Sequence, residues 1–143
     1  MVEIEVQGLK ELQDRLLQLP DKLGNNVLAS CLGSAALVFQ KEAQNRVVTA
    51  AKDYKLYGGE KVSPGWLRGQ IIKKRVRQTK SNAETIVTFK DVKHAYFWRF
   101  LEFGTSKMQA KPFMRPAFEA AKEKALQRFE DRLKERLDKE DRR

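Results

Sequence analysis

The chain predicts an α+β fold in which a small, mainly antiparallel sheet packs against a long central helix and a C-terminal helix. Three observations carry this. Apolar residues recur every three or four positions over 22–50 and again from Phe118 to Leu137; two apolar runs flank a polar Ser81-Asn82-Ala83 turn; and the first residues alternate in period two.

Taken in order, Val2, Ile4 and Val6 alternate with Glu3, Glu5 and Gln7, which predicts a half-buried strand over 2–6 ended by Gly8. The paired Glu3 and Glu5 are then a solvated strand face. Leu9, Leu12, Leu16 and Leu19 predict a helix over 9–19 that stops before Pro20. From there Val27, Cys31, Ala35, Val38 and Ala43 mark the longest helix, over 22–50. Gly33, Ser34, Ala35 and Ala36 make its middle narrow, so the sheet or a neighbouring helix is expected to approach closely there.

Residues 51–65 show no sustained period and contain Gly58, Gly59 and Pro64, which predicts a long loop without regular structure. Ile71, Ile72 and Val76, then Ile86, Val87 and Phe89, predict a two-stranded hairpin. An aromatic stretch from Ala95 to Phe103 predicts a short helix closed by Gly104, a residue suited to a helix C-cap. A compact loop is expected to run to Pro116. A closing helix follows, with Phe118, Ala121, Ala125, Phe129, Leu133 and Leu137 on its buried face. The whole reads as one domain over 1–138 with a charged, frayed tail at 139–143.

The net charge is +10, and it is unevenly placed. Residues 1–50 carry 5 Lys/Arg against 6 Asp/Glu, residues 51–115 carry 15 against 5, and residues 116–143 carry 9 against 8. The basic excess is therefore confined to the middle, where it suits an acidic partner such as nucleic acid. Cys31 has no partner in the chain and sits in an apolar helical pattern, which fits a buried thiol in a reducing, intracellular setting. No apolar run approaches the roughly 20 residues of a membrane span.

Catalytic chemistry finds little material. One histidine, His94, and one cysteine cannot build a multi-ligand metal centre. His94 beside Tyr96 and Phe97 reads as a packed or surface residue, and Gly58-Gly59 lacks the Lys-Ser/Thr of a phosphate-binding loop. No enzyme activity and no cofactor are expected. In the hairpin, Lys73, Arg75 and Arg77 alternate onto one face while Ile72 and Val76 take the other. That stripe reads either as a contact for phosphates or as an ordinary solvated strand face.

The most specific stretch is Tyr96–Phe118. It contains Glu102-Phe103-Gly104-Thr105, the spacer Ser106 to Gln109, Ala110-Lys111-Pro112-Phe113, Met114 and Arg115-Pro116-Ala117. This resembles the signature of the tail-completion, or head-to-tail joining, family of tailed bacteriophages and prophages. Pro64-Gly65-Trp66-Leu67-Arg68-Gly69-Gln70-Ile71 resembles that family's Gly-x-Leu-Arg segment, with Gln70 where Ser is frequent and Gln109 where Pro is frequent.

The resemblance implies a structural component of the virion neck, assembled in the host bacterial cytoplasm, without cofactor. It implies a homo-oligomeric ring built from heterologous contacts, hexameric where the tail tube it joins is six-fold. Partners would be connector, tail-terminator or tail-tube proteins, with DNA in the channel facing the stripe Lys73, Arg75 and Arg77. The 51–65 loop, with Tyr54, Tyr57, Gly58 and Gly59, would order against a neighbour. Within the signature, Glu102 and Arg115 are placed to pair across the base of the loop, with Phe103, Phe113 and Phe118 anchoring it on the core; the motif reads either as a rigid connector held by that pair and the prolines or as a purely structural core motif. A general nucleic-acid-binding protein is the competing reading, since it accounts for the charge though not for the signature.

Overall fold

A computed structural model describes residues 9–49, 52–56, 59–78 and 83–142. The strand expected over 2–6, Tyr57, Gly58 and the Ser81-Asn82 turn lie outside the described residues. The observed class is α+β. Helix α1 spans Leu9–Leu17, α2 Asp21–Arg46, α3 Trp66–Gln70, α4 Trp98–Phe103 and α5 Met114–Asp141. Strands β1 (Tyr54–Lys55) and β2 (Lys61–Val62) form one antiparallel pair, and β3 (Ile71–Gln78) and β4 (Ala83–Phe89) another.

Two long antiparallel helices organise the molecule. The start of α2 meets the end of α5, where Val27 and Cys31 share a core with Leu133, Leu137 and Leu12 of α1. The end of α2 meets the start of α5, where Ala43 and Val47 share a second core with Leu67, Ile71, Phe89, Ala95, Phe113 and Ala117. Between the two cores, Ala29 and Ala36 on α2 and Ala121 and Ala125 on α5 are buried. Small side chains there let two backbones run close together over most of their length.

Helix α2 ends at Arg46, short of the expected 50. Three consecutive β-branched residues, Val47, Val48 and Thr49, follow, and they lose side-chain freedom in a helix. Val47 donates its N–H to Ala43 O at 3.0 Å, turns extended and is buried in the second core. Helix α5 begins at Met114, before Pro116 rather than after it, and the stretch expected to fray is helical as far as Asp141. Arg15 of α1 holds that end by ion pairs to Asp138 at 3.1 Å and Asp141 at 2.5 Å.

The hairpin is present, with Ile72 on the face opposite Lys73 and Arg75 as expected, and its register shows which face meets the core. Ile71 pairs with Phe89, Lys73 with Val87 and Arg75 with Thr85. Ile71 and Phe89 are buried in the core beside Ala43, so these three pairs point toward α2, and Ile72 is on the outer side. The fully buried Ile71 sets this choice, since a one-residue slip would expose it. Lys73 therefore reaches α2, donating to Gly33 O at 3.0 Å, at the narrow stretch where a close approach was expected. A bulge lies between Arg75 and Arg77.

Two further differences concern the middle of the chain. The 51–65 segment contains the β1–β2 pair, closed by Leu56 N–H to Glu60 O at 2.7 Å and anchored by buried Leu56 and Val62. Residues 66–70 form the short helix α3 instead of leading directly into a strand. It follows Gly65, whose φ of 87° is a left-handed conformation that glycine tolerates.

Candidate functional site

The signature residues come together at the junction of α4 and α5. A helix start leaves four backbone N–H groups without intrahelical acceptors. In α5 these belong to Phe113, Met114, Arg115 and residue 116. The Glu102 carboxylate, buried near the end of α4, accepts from Phe113 at 2.8 Å, Met114 at 2.9 Å and Arg115 at 2.9 Å. The fourth position is Pro116, which has no N–H to satisfy. One side chain and one proline thus resolve the whole first turn, and the carboxylate's charge also suits the positive end of the helix dipole.

The intervening loop is equally determined. Gly104 has φ 74°, and a Cβ there would stand 2.9 Å from Ala110 N and 3.1 Å from Met108 O. Thr105 and Met108 form an isolated bridge, with Thr105 N–H donating to Met108 O at 2.9 Å. Lys111 N–H donates back to Leu101 O at 2.6 Å. Phe113 is fully buried and meets Phe89 edge-on with ring centroids 6.3 Å apart.

No family model, curated protein or solved structure matches this chain.

The expected Glu102–Arg115 pair is realised through the backbone N–H of Arg115, not its side chain. The guanidinium lies over the Phe103 ring, 5.9 Å from its centroid. Of the three phenylalanines expected as anchors, only Phe113 is one. Phe103 is 64% exposed, and Phe118 is half exposed and stacks on Phe39 with centroids 5.2 Å apart. Ala117 takes the buried place on α5 expected for Phe118. Thr105, Ala110 and Pro112 are on the surface of the loop.

The junction leaves an aromatic face in solvent. Tyr96 is 44% exposed and Phe100 43%, and their rings meet edge-on at 5.9 Å. Phe103, also exposed, follows Phe100 by three residues on the same helix. In the same stretch of sequence Lys90, Lys93, Arg99, Lys107 and Lys111 are exposed. The acids of this region are already engaged: Glu102 on the α5 cap, and Asp91 with His94. Sequence periodicity could have found these three rings, but their aromatic character read as core.

Elsewhere, Tyr54 is half-buried and meets Phe97 edge-on at 6.0 Å, and burial raises its phenol pKa. Gly59 is exposed at the tip of its turn, with φ 89°. His94 Nδ1 lies 2.6 Å from Asp91 Oδ2, and the His94 N–H donates to Asp91 Oδ1 at 3.2 Å. These contacts hold the Asp91 carboxyl below its usual range, the backbone hydrogen bond contributing most. The arrangement closes a turn. Cys31 lies in the other core, where burial pushes its thiol up to about 11. Among the described residues, no group of three His, Cys, Asp or Glu is placed to hold a metal, and no helix is long and apolar enough to cross a membrane.

Proposed function

We propose that this chain is a structural, non-enzymatic subunit of a ring at the neck of a tailed bacteriophage or prophage, completing or joining the tail at the head-tail interface. The observation that carries the reading is the convergence of the signature residues Glu102, Gly104, Phe113 and Pro116 on one device that fixes α4 and α5 relative to each other. A rigid junction with an exposed aromatic face suits a part whose task is to present a surface. Its partners would be connector and tail-terminator or tail-tube proteins, and its place the virion.

Solution mass by light scattering tests this, for the chain alone and mixed with neck and tail proteins of the same gene cluster. A ring or a defined complex supports the joining role. A monomer inert to all of them, yet binding DNA with steep salt dependence, transfers the reading to a nucleic-acid-binding protein. That alternative has lost part of its basis, since Lys73 is engaged with Gly33.

A further inference from the structure

We propose that residues 2–6 add a third, antiparallel strand to the open edge of β4 in the same chain and close the apolar cleft between β4, α2 and α5. That cleft has a volume of about 290 Å³ and is lined by Leu32, Ala35 and Phe39 of α2, Thr85 and Val87 of β4 and the half-exposed Phe118 of α5. It borders a sheet edge that is itself open. Lys90 N–H donates to Gln70 O, so Ile72–Thr88 and Lys74–Ile86 are the hydrogen-bonded pairs of the hairpin, and Thr85 and Val87 direct their N–H and C=O groups away from β3. Among the described residues, no strand pairs with that edge. A row of such groups is a template for another strand.

Position, length, direction and pattern select the occupant. Leu16 O lies beside Gly24 and Leu12 shares a core with Cys31, so α1 runs antiparallel to α2 and its start is carried toward Ala35, one turn beyond Cys31 and on the cleft wall. The chain before α1 therefore sets out from the mouth of the cleft, which runs about 16 Å along α2 from Leu32 to Ala43. Five extended residues span about 16 Å. Phe89 packs by Ala43, and Lys73, opposite Val87, reaches Gly33, so β4 runs parallel to α2. A segment that leads into α1 from the Ala43 end runs against both, as an antiparallel strand must. Val2, Ile4 and Val6 are the residues that face inward, since a one-residue slip would set Glu3 and Glu5 against the apolar wall. Ile4 then stands opposite Val87 and Val6 opposite Thr85, with Glu5 on the outer face opposite Ile86. Tethered at Gly8, the segment has a far higher local concentration at its own cleft than one from a second copy. A monomer and a ring subunit alike would carry this strand.

The test is a disulfide in the full-length chain. In a Cys31→Ala background, Glu5→Cys with Ile86→Cys puts two thiols on the outer face in a non-hydrogen-bonded pair, the closest kind across antiparallel strands. Mild oxidation is expected to link them within one chain, giving a monomer-sized product without free thiol on a non-reducing gel. Glu5→Cys with Lys74→Cys is expected to stay reduced, because β4 lies between them; efficient linkage there, and none to Ile86→Cys, puts the segment on the edge of β3 and overturns the placement. Linkage of Glu5→Cys to Ile86→Cys between two chains alone overturns the own-chain assignment and makes the strand an exchanged one. Linkage in neither pair overturns the proposal outright. Amide exchange gives a second measurement, in which Ile4→Asp is expected to quicken Thr85 and Val87 at least about tenfold while Ile86 and Thr88, bonded to β3, keep their rates. Unchanged rates at Thr85 and Val87 overturn the strand. The disulfide pair, with its changes on the surface, keeps the test independent of how well the Ile4→Asp chain folds.

Discussion

The Glu102 carboxylate accepts the Phe113 backbone N–H at 2.8 Å, eleven residues along the chain and from a different helix. Helix caps usually come from the residue at the helix start, within two or three positions of the N–H they satisfy. Here Phe113 occupies that place and brings no acceptor, so the cap arrives from α4. The two helices cannot separate without exposing three N–H groups and a buried carboxylate.

Glu102→Ala should therefore cost about 2 to 4 kcal/mol of folding stability, more than an ordinary cap, because several buried donors lose their acceptor. Glu102→Gln keeps the shape but offers one acceptor oxygen and no charge, and should lose about half as much. Pro116→Ala should change stability by less than about 1 kcal/mol, through unfolded-chain entropy and one new N–H. Denaturant unfolding of the three variants checks this order.

Gly104→Ala and Gly59→Ala place the same methyl group on a backbone of similar positive φ. At Gly104 the Cβ meets Ala110 N at 2.9 Å, whereas at Gly59 nothing lies within 4 Å. The first should lose about 2 to 4 kcal/mol and loosen the loop; the second should lose only the conformational cost of about 1 kcal/mol. Equal losses at the two positions, measured by thermal unfolding, would show that the close approach at Gly104 is relieved by loop movement.

Cys31 supplies a pH test. Its thiol is raised in the folded chain from 9.0 to about 11, burial being the main cause. A raised folded value means the contribution is complete below the unfolded value and is lost as pH climbs through the folded one. Stability should thus fall between about pH 9 and pH 11 more steeply in the wild type than in Cys31→Ala. At pH 8 the native thiol should resist iodoacetamide, reacting at full rate only in denaturant.

Arg15 bridges α1 to the last turn of α5 by exposed ion pairs. Arg15→Ala should lower stability only slightly, and the difference should shrink at high salt. Its clearer signature is local: amide exchange over residues 138–142 should quicken while the rest of α5 is unchanged.

Much of the fold was legible because periodicity reports burial. Leu12, Val27, Leu133 and Leu137 stand on the faces their spacing assigns, and Gly104 ends α4 as its position implies. Which face of the hairpin meets the core was not legible, because Ile71 and Ile72 are adjacent and either could have been the buried one; only the pairing of Ile71 with Phe89 decides. The same limit hid the cap. A glutamate within an aromatic run gives no local sign that its acceptors serve a helix eleven residues on, and Phe103 next to it looks as buried as Phe113. The proline at 116, read as the loop's end, is compatible with a first turn too.

The cap also has a mechanical meaning. Helix α5 runs 28 residues, about 42 Å, and is gripped at its first turn by Glu102 and near its far end by Arg15. Between these grips it is held to α2 by the Phe118–Phe39 stack, by Arg132 Nε donating to Ser30 Oγ at 3.1 Å, and by Leu133 and Leu137 packed on Val27 and Cys31, with alanines in between. A push on α4 is thus borne by α2 and α5 as one stiff unit, whose far end is the α1 corner.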